Sequence, residues 1–171
     1  IPLRLVGSEM CIRDRLTSYY VPGLHIEERA IDVPLDWEGN TPGGAIKGET
    51  IRLFCRVVCA PEHVHDDLPL LVFLQGGPGG QCPRPLSPSS DGWIEEAVKH
   101  FRIVLPDQRG VGRSSRVDAS TMKRMAADGV SVEHQAWYLK RFLADSIVRD
   151  FEHLRISCLL YTSDAADERS S

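Results

Sequence analysis

Long apolar runs are missing from this chain: nothing in its 171 residues approaches the roughly 18–20 consecutive apolar residues of a membrane-spanning helix. The first residues also lack the apolar stretch of a secretory leader, because Arg4, Glu9 and Asp14 break them up. A basic excess is missing too. Lys and Arg number 20 against 24 Asp and Glu, a net charge of −4, which gives no field to attract nucleic acid or an anionic membrane. With 5 cysteines the chain is too poor in sulfur for a disulfide scaffold. No internal repeat and no low-complexity linker divides it. What is there, 42% apolar and 26% charged residues, is the composition and length of one soluble globular domain. Neither nucleic acid nor membrane is expected as a partner.

The two ends read as something other than domain sequence. Leu5-Val6-Gly7-Ser8-Glu9-Met10-Cys11-Ile12-Arg13-Asp14 can be written CTC GTG GGC TCG GAG ATG TGT ATA AGA GAC. Cys158-Leu159-Leu160-Tyr161-Thr162-Ser163 can be written TGT CTC TTA TAC ACA TCT, the reverse complement of a stretch that runs through the first string into the codon of Arg15. Two unrelated protein segments have no physical reason to obey base pairing. The pattern resembles a transposon-end sequencing adaptor read through on both sides, with Asp164-Ala165-Ala166-Asp167-Glu168 as its remainder. We therefore expect residues 1–15 and 157–171 to lie outside the domain, residues 16–156 to be a partial domain, and Cys55, Cys59 and Cys82 to be its only cysteines.

Within that stretch, His25 to Val33 alternates apolar and polar residues, as a half-buried strand does, and Pro34 ends it. The Asn40–Gly44 cluster is a turn, and Glu49 to Ala60 is a second strand, so the two predict a hairpin. Leu70 to Leu74 is continuously apolar, which predicts a central strand buried on both faces. A helix follows from Trp93 to His100 with Asp91 as its cap, then a strand over Phe101 to Leu105. The polar stretch from Ser114 to Gly129 holds at most a short helix. His134 to Ile156 carries one long helical stripe of Trp137, Leu139, Phe142, Leu143, Ile147, Val148, Phe151 and Leu154. An antiparallel hairpin leading into parallel strands with crossover helices is an α/β sheet. Further strands would then pair beyond Phe101–Leu105.

Chemistry concentrates in two loops. Gln75-Gly76-Gly77-Pro78-Gly79-Gly80 directly follows a strand, and glycines there let the backbone come close to a ligand and offer N–H groups to it. A phosphate-cradling P-loop would need Gly-Lys-Ser/Thr, and a dinucleotide fingerprint would need GxGxxG; neither spacing is present. Two readings stay open: an oxyanion-stabilising turn, or a tight turn that merely needs positive φ. The second loop, Asp107-Gln108-Arg109-Gly110-Val111-Gly112-Arg113-Ser114, follows the next strand and suggests a hydrogen-bonded scaffold beside the first. A catalytic role for Asp107 is the weaker alternative. Gly112-Arg113-Ser114-Ser115-Arg116 is not a GxSxG nucleophile elbow, because Arg116 stands where the strained turn needs a small residue.

Other candidates read as structure. Cys55 and Cys59, with His63 and His65 nearby, lack zinc-site spacing and read as small buried residues beside a solvated loop. His100, His134 and His153 read as surface or satisfied residues. Asp145, Arg149, Asp150 and Glu152 read as a solvated helix face with i,i+4 pairs.

Taken together, Gln-Gly-Gly-Pro-Gly at 75–79 and Asp-Gln-Arg-Gly-x-Gly-x-Ser at 107–114 resemble the prolyl aminopeptidases, serine exopeptidases of the α/β-hydrolase fold. Val33-Pro34-Leu35-Asp36, Pro83-Arg84-Pro85, Gly92-Trp93-Ile94 and Ala144–Asp150 resemble the larger bacterial type, where Gln occupies the place of a His found in smaller members. The likeness covers residues 19–156. It implies the N-terminal part of an α/β-hydrolase sheet, ending before the nucleophile elbow, from an enzyme that releases N-terminal proline from peptides through an acyl-enzyme. It further implies a peptide substrate, a cytoplasmic location, and no metal or organic cofactor. Gly77 would give its backbone N–H to the oxyanion, with Gln75, Gly76, Pro78, Gly79, Asp107, Arg109 and Gly110 as scaffold. Serine, acid, base and cap would all come later in sequence, so the piece itself is expected to be inactive. Another α/β hydrolase, such as a tripeptidyl aminopeptidase or an esterase, or a noncatalytic binding domain on the same fold, is the alternative.

Overall fold

A computed structural model of the chain describes residues 15–76 and 79–159. Among the described residues five strands form one sheet: β1 Arg15–Val21, β2 Leu24–Pro34, β3 Thr50–Cys59, β4 Leu70–Val72 and β5 Arg102–Asp107, in the order β1-β2-β3-β5-β4. β1, β2, β3 and β5 pair antiparallel in turn, and β4 runs parallel to β5. The expected hairpin is β2–β3, in register from His25 opposite Cys59 to Pro34 opposite Thr50.

Alternation along the strands builds two cores. Ile31, Val33, Leu53, Cys55 and Val104 face one side and receive Trp137, Tyr138, Phe142, Phe151 and Leu154. Leu24, Ile26, Val58, Ile103 and Leu105 face the other and receive Ile94, Val98 and Cys82. The helices divide accordingly. α1 Gly92–Ala97 covers the second face, while α3 Val132–Lys140 and α4 Ala144–Leu154 cover the first; α2 Ala119–Ala127 precedes α3. Among the described residues no helix is long and apolar enough to cross a membrane.

Four expectations need correction. First, β1 was not anticipated. Pro22-Gly23 turns the chain into β2, Gly23 taking φ 75°, where a Pro-Gly pair fits a type II turn. β1 shows no clean alternation because it lies at the sheet edge, with Leu16 and Tyr20 largely exposed.

Second, the Leu70–Leu74 run is not central. The crossover through α1 brings β5 in between β3 and β4, so β5 is flanked on both sides and β4 forms the edge. Its three residues are only half-buried and Leu74 is exposed. The open pairing edge is therefore β4, not Phe101–Leu105.

Third, His134–Ile156 is two helices. α3 is capped at its start by Ser131, whose hydroxyl accepts from His134 N at 3.2 Å, and it ends at Arg141. A continuous helix would spend the Arg141 carbonyl on the amide of residue 145. Here Arg109 Nη1 takes that carbonyl at 2.6 Å, and α4 starts afresh after Leu143. The stripe breaks with it: Leu139, Leu143 and Val148 are exposed.

Fourth, the supposed solvated face of α4 is partly core. Ser146, Asp150, His153 and Leu154 are buried, at helical spacing on its inward side. As for the ends, residues 1–14 and 160–171 lie outside the described residues. Arg15 opens β1, and Ser157–Leu159 fall within a π-helical turn, Arg155–Leu159, that continues from α4.

Candidate functional site

Because β4 and β5 are parallel neighbours, the loops after them leave the sheet at the same end, where open α/β sheets bind ligands. Gln75, Gly76 and Gly79 are described in the first loop; Gly77 and Pro78 lie outside the described residues. Two adjacent residues of the second loop hold the first. Gln108 Nε2 donates to the Gln75 carbonyl at 2.9 Å, and Asp107 Oδ1 accepts from Cys82 N at 2.8 Å. The Cys82 thiol also donates to Pro106 O at 2.9 Å. Burial, reinforced by the Asp107 charge, pushes that thiol up to about 12, so it stays protonated and packs rather than reacts.

Asp107 belongs at this place for a reason of pleat. It continues the alternation of Ile103 and Leu105, so its side chain enters the face where Cys82 lies. It is 1% exposed, and each carboxylate oxygen has its own donor: Cys82 N on Oδ1 and Arg113 N, at 2.9 Å, on Oδ2. Ser114 closes the second loop, donating to Asp107 O at 2.6 Å and accepting from Phe54 N at 2.9 Å. The glycines of this motif are steric necessities. Gly112 has φ 57°, and a Cβ there would run into the Asp107 carboxylate; Gly110 has φ 86° and would press on Phe142. Arg113 reaches across to Glu28 Oε2 at 2.5 Å and lies over the Phe54 ring.

Arg109 turns the other way. All five of its N–H donors are used: Nε on Asp150 Oδ2 at 2.6 Å, Nη2 on Asp150 Oδ1 at 2.5 Å and Pro34 O at 3.0 Å, Nη1 on Leu35 O at 3.0 Å and Arg141 O at 2.6 Å. Both side chains of the Arg109–Asp150 pair are fully buried. Trp37 Nε1 adds a donor to Asp150 Oδ1 at 2.9 Å. Burial pushes the Asp150 carboxyl up, and the Arg109 hydrogen bonds and charge pull it back. Sequence reasoning gave Asp150 to solvent because its charged neighbours Asp145, Arg149 and Glu152 looked like a surface run. The missed signal is the unanswered guanidinium of Arg109.

So the structure brings Gln75 against the Asp107–Gln108 pair, with Gly76 next in the chain, and turns Arg109 to the opposite face. Sequence reasoning missed Gln108 and Cys82 as the contacts that join the loops. Among the described residues, Ser–His contacts occur elsewhere. Ser18 Oγ lies 2.7 Å from His25 Nε2, but His25 pairs with Cys59, at the end of β3 away from Asp107. Ser157 Oγ lies 3.3 Å from His153 Nε2 on the α4 side. His153 accepts from Gly43 N at 3.0 Å, and burial lowers its pKa. Cys55 and Cys59 are buried thiols, and His63 pairs with Asp66 at 2.6 Å.

A strand, a glycine-rich loop, a crossover helix and a parallel neighbour with its own glycine-bearing loop fit an α/β-hydrolase sheet, and residues 69–151 match the family model for the alpha/beta hydrolase fold. The chain is also similar to two proteins named as proline iminopeptidases. It is 42% identical over 137 residues to a proline iminopeptidase of Aeromonas sobria, covering 80% of this chain and 29% of that protein. It is 36% identical over 137 residues to a proline iminopeptidase of Aspergillus aculeatus, covering 78% of this chain and 29% of that protein. The chain thus spans 29% of the length of each of these relatives.

Proposed function

We propose that this chain is the N-terminal part of a serine aminopeptidase that releases N-terminal proline from peptides. The observation that carries the reading is the junction of the two loops at one end of a parallel strand pair, on a chain 42% identical to a proline iminopeptidase. In this reading residues 16–156 are the hydrolase portion, and residues 1–15 and 157–171 are adaptor translation.

The chemistry follows from the loop. A serine from sequence beyond these residues attacks the carbonyl carbon of the N-terminal proline, forming a C–O bond while a histidine takes its proton. The carbonyl π electrons move onto oxygen. The Gly77 N–H stabilises that oxyanion, Gln75, Gly76, Pro78, Gly79, Asp107 and Gly110 hold the loops that carry it, and Arg109 anchors the second loop to the opposite face of the sheet. Collapse breaks the C–N bond, the leaving amine takes the proton, and water then releases proline. No metal or organic cofactor enters. We place the enzyme in the cytoplasm, a reading supported by buried thiols at Cys55, Cys59 and Cys82, which a reducing compartment leaves unpaired. The 171-residue chain alone is expected to be inactive.

The test is hydrolysis of a proline arylamide by the full-length gene product and by the 171-residue chain. The reading expects serine-inhibitor-sensitive turnover from the first and none from the second. A full-length protein that cleaves simple esters but no proline arylamide would favour an esterase instead.

A further inference from the structure

We propose that the cavity between the segment after β2 and the α3–α4 junction binds a short peptide with free ends, its carboxylate beside Arg149 and its ammonium beside Glu38. The inference goes beyond the aminopeptidase reading and does not depend on it. β2 and β5 run in the same direction, because each pairs antiparallel with β3. The chain after Pro34 therefore leaves the sheet at the same end as the loop after β5. Leu35 and Trp37 then pack on the face that α3 and α4 cover. Asp36, Glu38 and Asn40 line a cavity of about 620 Å³ from that segment, and Lys140, Arg141 and Arg149 line it from the helices. The volume is that of a small-ligand pocket.

The charges around this cavity are left open in both signs. Lys140 and Arg149 are exposed and make no ion pair among the described residues; the same holds for Glu38 and Asp145, which also line it. Two unanswered cations and two unanswered carboxylates give no net sign, so a simple anion gains on one side what it loses on the other. A molecule with one charge of each sign is answered at both ends. Arg141 adds a further donor. Its Nη2 bonds Asp36 Oδ2 at 2.9 Å, whereas its Nε is buried with no hydrogen-bond partner among the described residues. A buried N–H without an acceptor is costly, and a ligand oxygen would answer it. An extended residue spans about 3.3–3.6 Å, so three residues set ammonium and carboxylate roughly 10 Å apart, comparable with the breadth of such a cavity.

The lining is held in place without a ligand. Trp37 Nε1 donates to Asp150 Oδ1 at 2.9 Å, and Arg149 Nη1 to the Trp37 carbonyl at 3.4 Å. Asn40 Nδ2 donates to Asp36 O at 2.9 Å, and the Arg141 guanidinium lies 4.4 Å from the centre of the Trp137 ring. A site ordered beforehand loses little freedom on binding.

The experiment titrates triglycine into the full-length protein by calorimetry, beside N-acetyl-triglycine and triglycine amide, which each lack one end charge. Triglycine carries no proline and is no substrate of the proposed reaction. Wild type should bind triglycine at one site and each end-blocked form at least tenfold more weakly. Arg149→Met and Glu38→Gln, both at exposed positions, should each weaken triglycine binding by about tenfold. Arg149→Met should make no further difference to triglycine amide, nor Glu38→Gln to N-acetyl-triglycine. Absence of saturable binding overturns the proposal, as do end-blocked forms that bind as well as triglycine, or binding that neither substitution weakens. If a variant has a lowered thermal midpoint, the end-blocked peptides on wild type decide. A protein that binds triglycine in this way but cleaves no proline arylamide defeats the aminopeptidase reading and leaves this one standing.

Discussion

Asp107 and Arg109 stand two residues apart, yet they serve opposite faces of the sheet in opposite ways. Arg109 is a clasp whose every donor is spent on groups that hold the fold: the β2 terminus, the α3–α4 break and Asp150. Asp107, with Gln108 beside it, spends its hydrogen bonds on backbone that must be held in a particular place: Cys82, Arg113 and, through Gln108, Gln75. The first side is closed by a buried ion pair. The second leaves Gly76 and Gly79 exposed to solvent. One loop therefore contains both a stability element and a positioning element, and the two should separate on mutation.

The largest effect should come from the clasp. Asp150→Ala leaves a buried guanidinium without its carboxylate and is expected to cost about 3–5 kcal/mol. Urea unfolding of the full-length variant would check this, and a loss below 1 kcal/mol would show that Arg109 finds another partner. Asp107→Ala comes next. It strands the buried amide of Cys82, at about 1–3 kcal/mol, and the part-buried amide of Arg113, at less, and should lower turnover in the folded fraction as well. If Asp107→Ala and Asp150→Ala depress turnover of the folded enzyme equally, the division of labour between the two faces is wrong.

A glycine pair sharpens the same contrast at smaller scale. Gly112→Ala meets both a positive φ and the Asp107 carboxylate, whereas Gly39→Ala meets a positive φ of 72° in open space. The second should cost about 1 kcal/mol, and the first clearly more. Equal unfolding midpoints would remove the close approach as an explanation for Gly112.

The smallest effect concerns pH. Burial lowers the folded pKa of His153, so the unfolded chain binds the proton more readily. The stability this group contributes is present above its unfolded pKa of about 6.5 and is lost as pH falls towards the folded value. Protonation would also cost the bond from Gly43 N. Unfolding of His153→Asn, compared with wild type at pH 7 and at pH 5.5, should show the weaker acid sensitivity in the variant.

These contrasts also mark what the sequence could tell. Local signals carried the strands at 24–34 and 50–59, the turn residues, and the two loop motifs, because alternation and glycine spacing are written in neighbouring residues. Placement across the sheet was not local. Leu70–Leu74 reads as central because it is apolar, and nothing in the run itself says that β5 will pair on its β3 side. The α3–α4 break likewise depends on a guanidinium 32 residues away. Asp150 was misread for the same reason: its partner lies 41 residues earlier, while its exposed neighbours lie beside it. Of the candidate site, Gln75 and Asp107 were legible from motif. Gln108 acquired its role only once the parallel pair set it against the Gln75 carbonyl.

The most direct test is the turnover of a proline arylamide by the full-length protein carrying Gly77→Val, measured as kcat and KM separately. A bulky residue at the proposed donor should displace its N–H. The account predicts a fall in kcat on the order of a hundredfold with KM little changed. Wild-type kcat in that variant would contradict it.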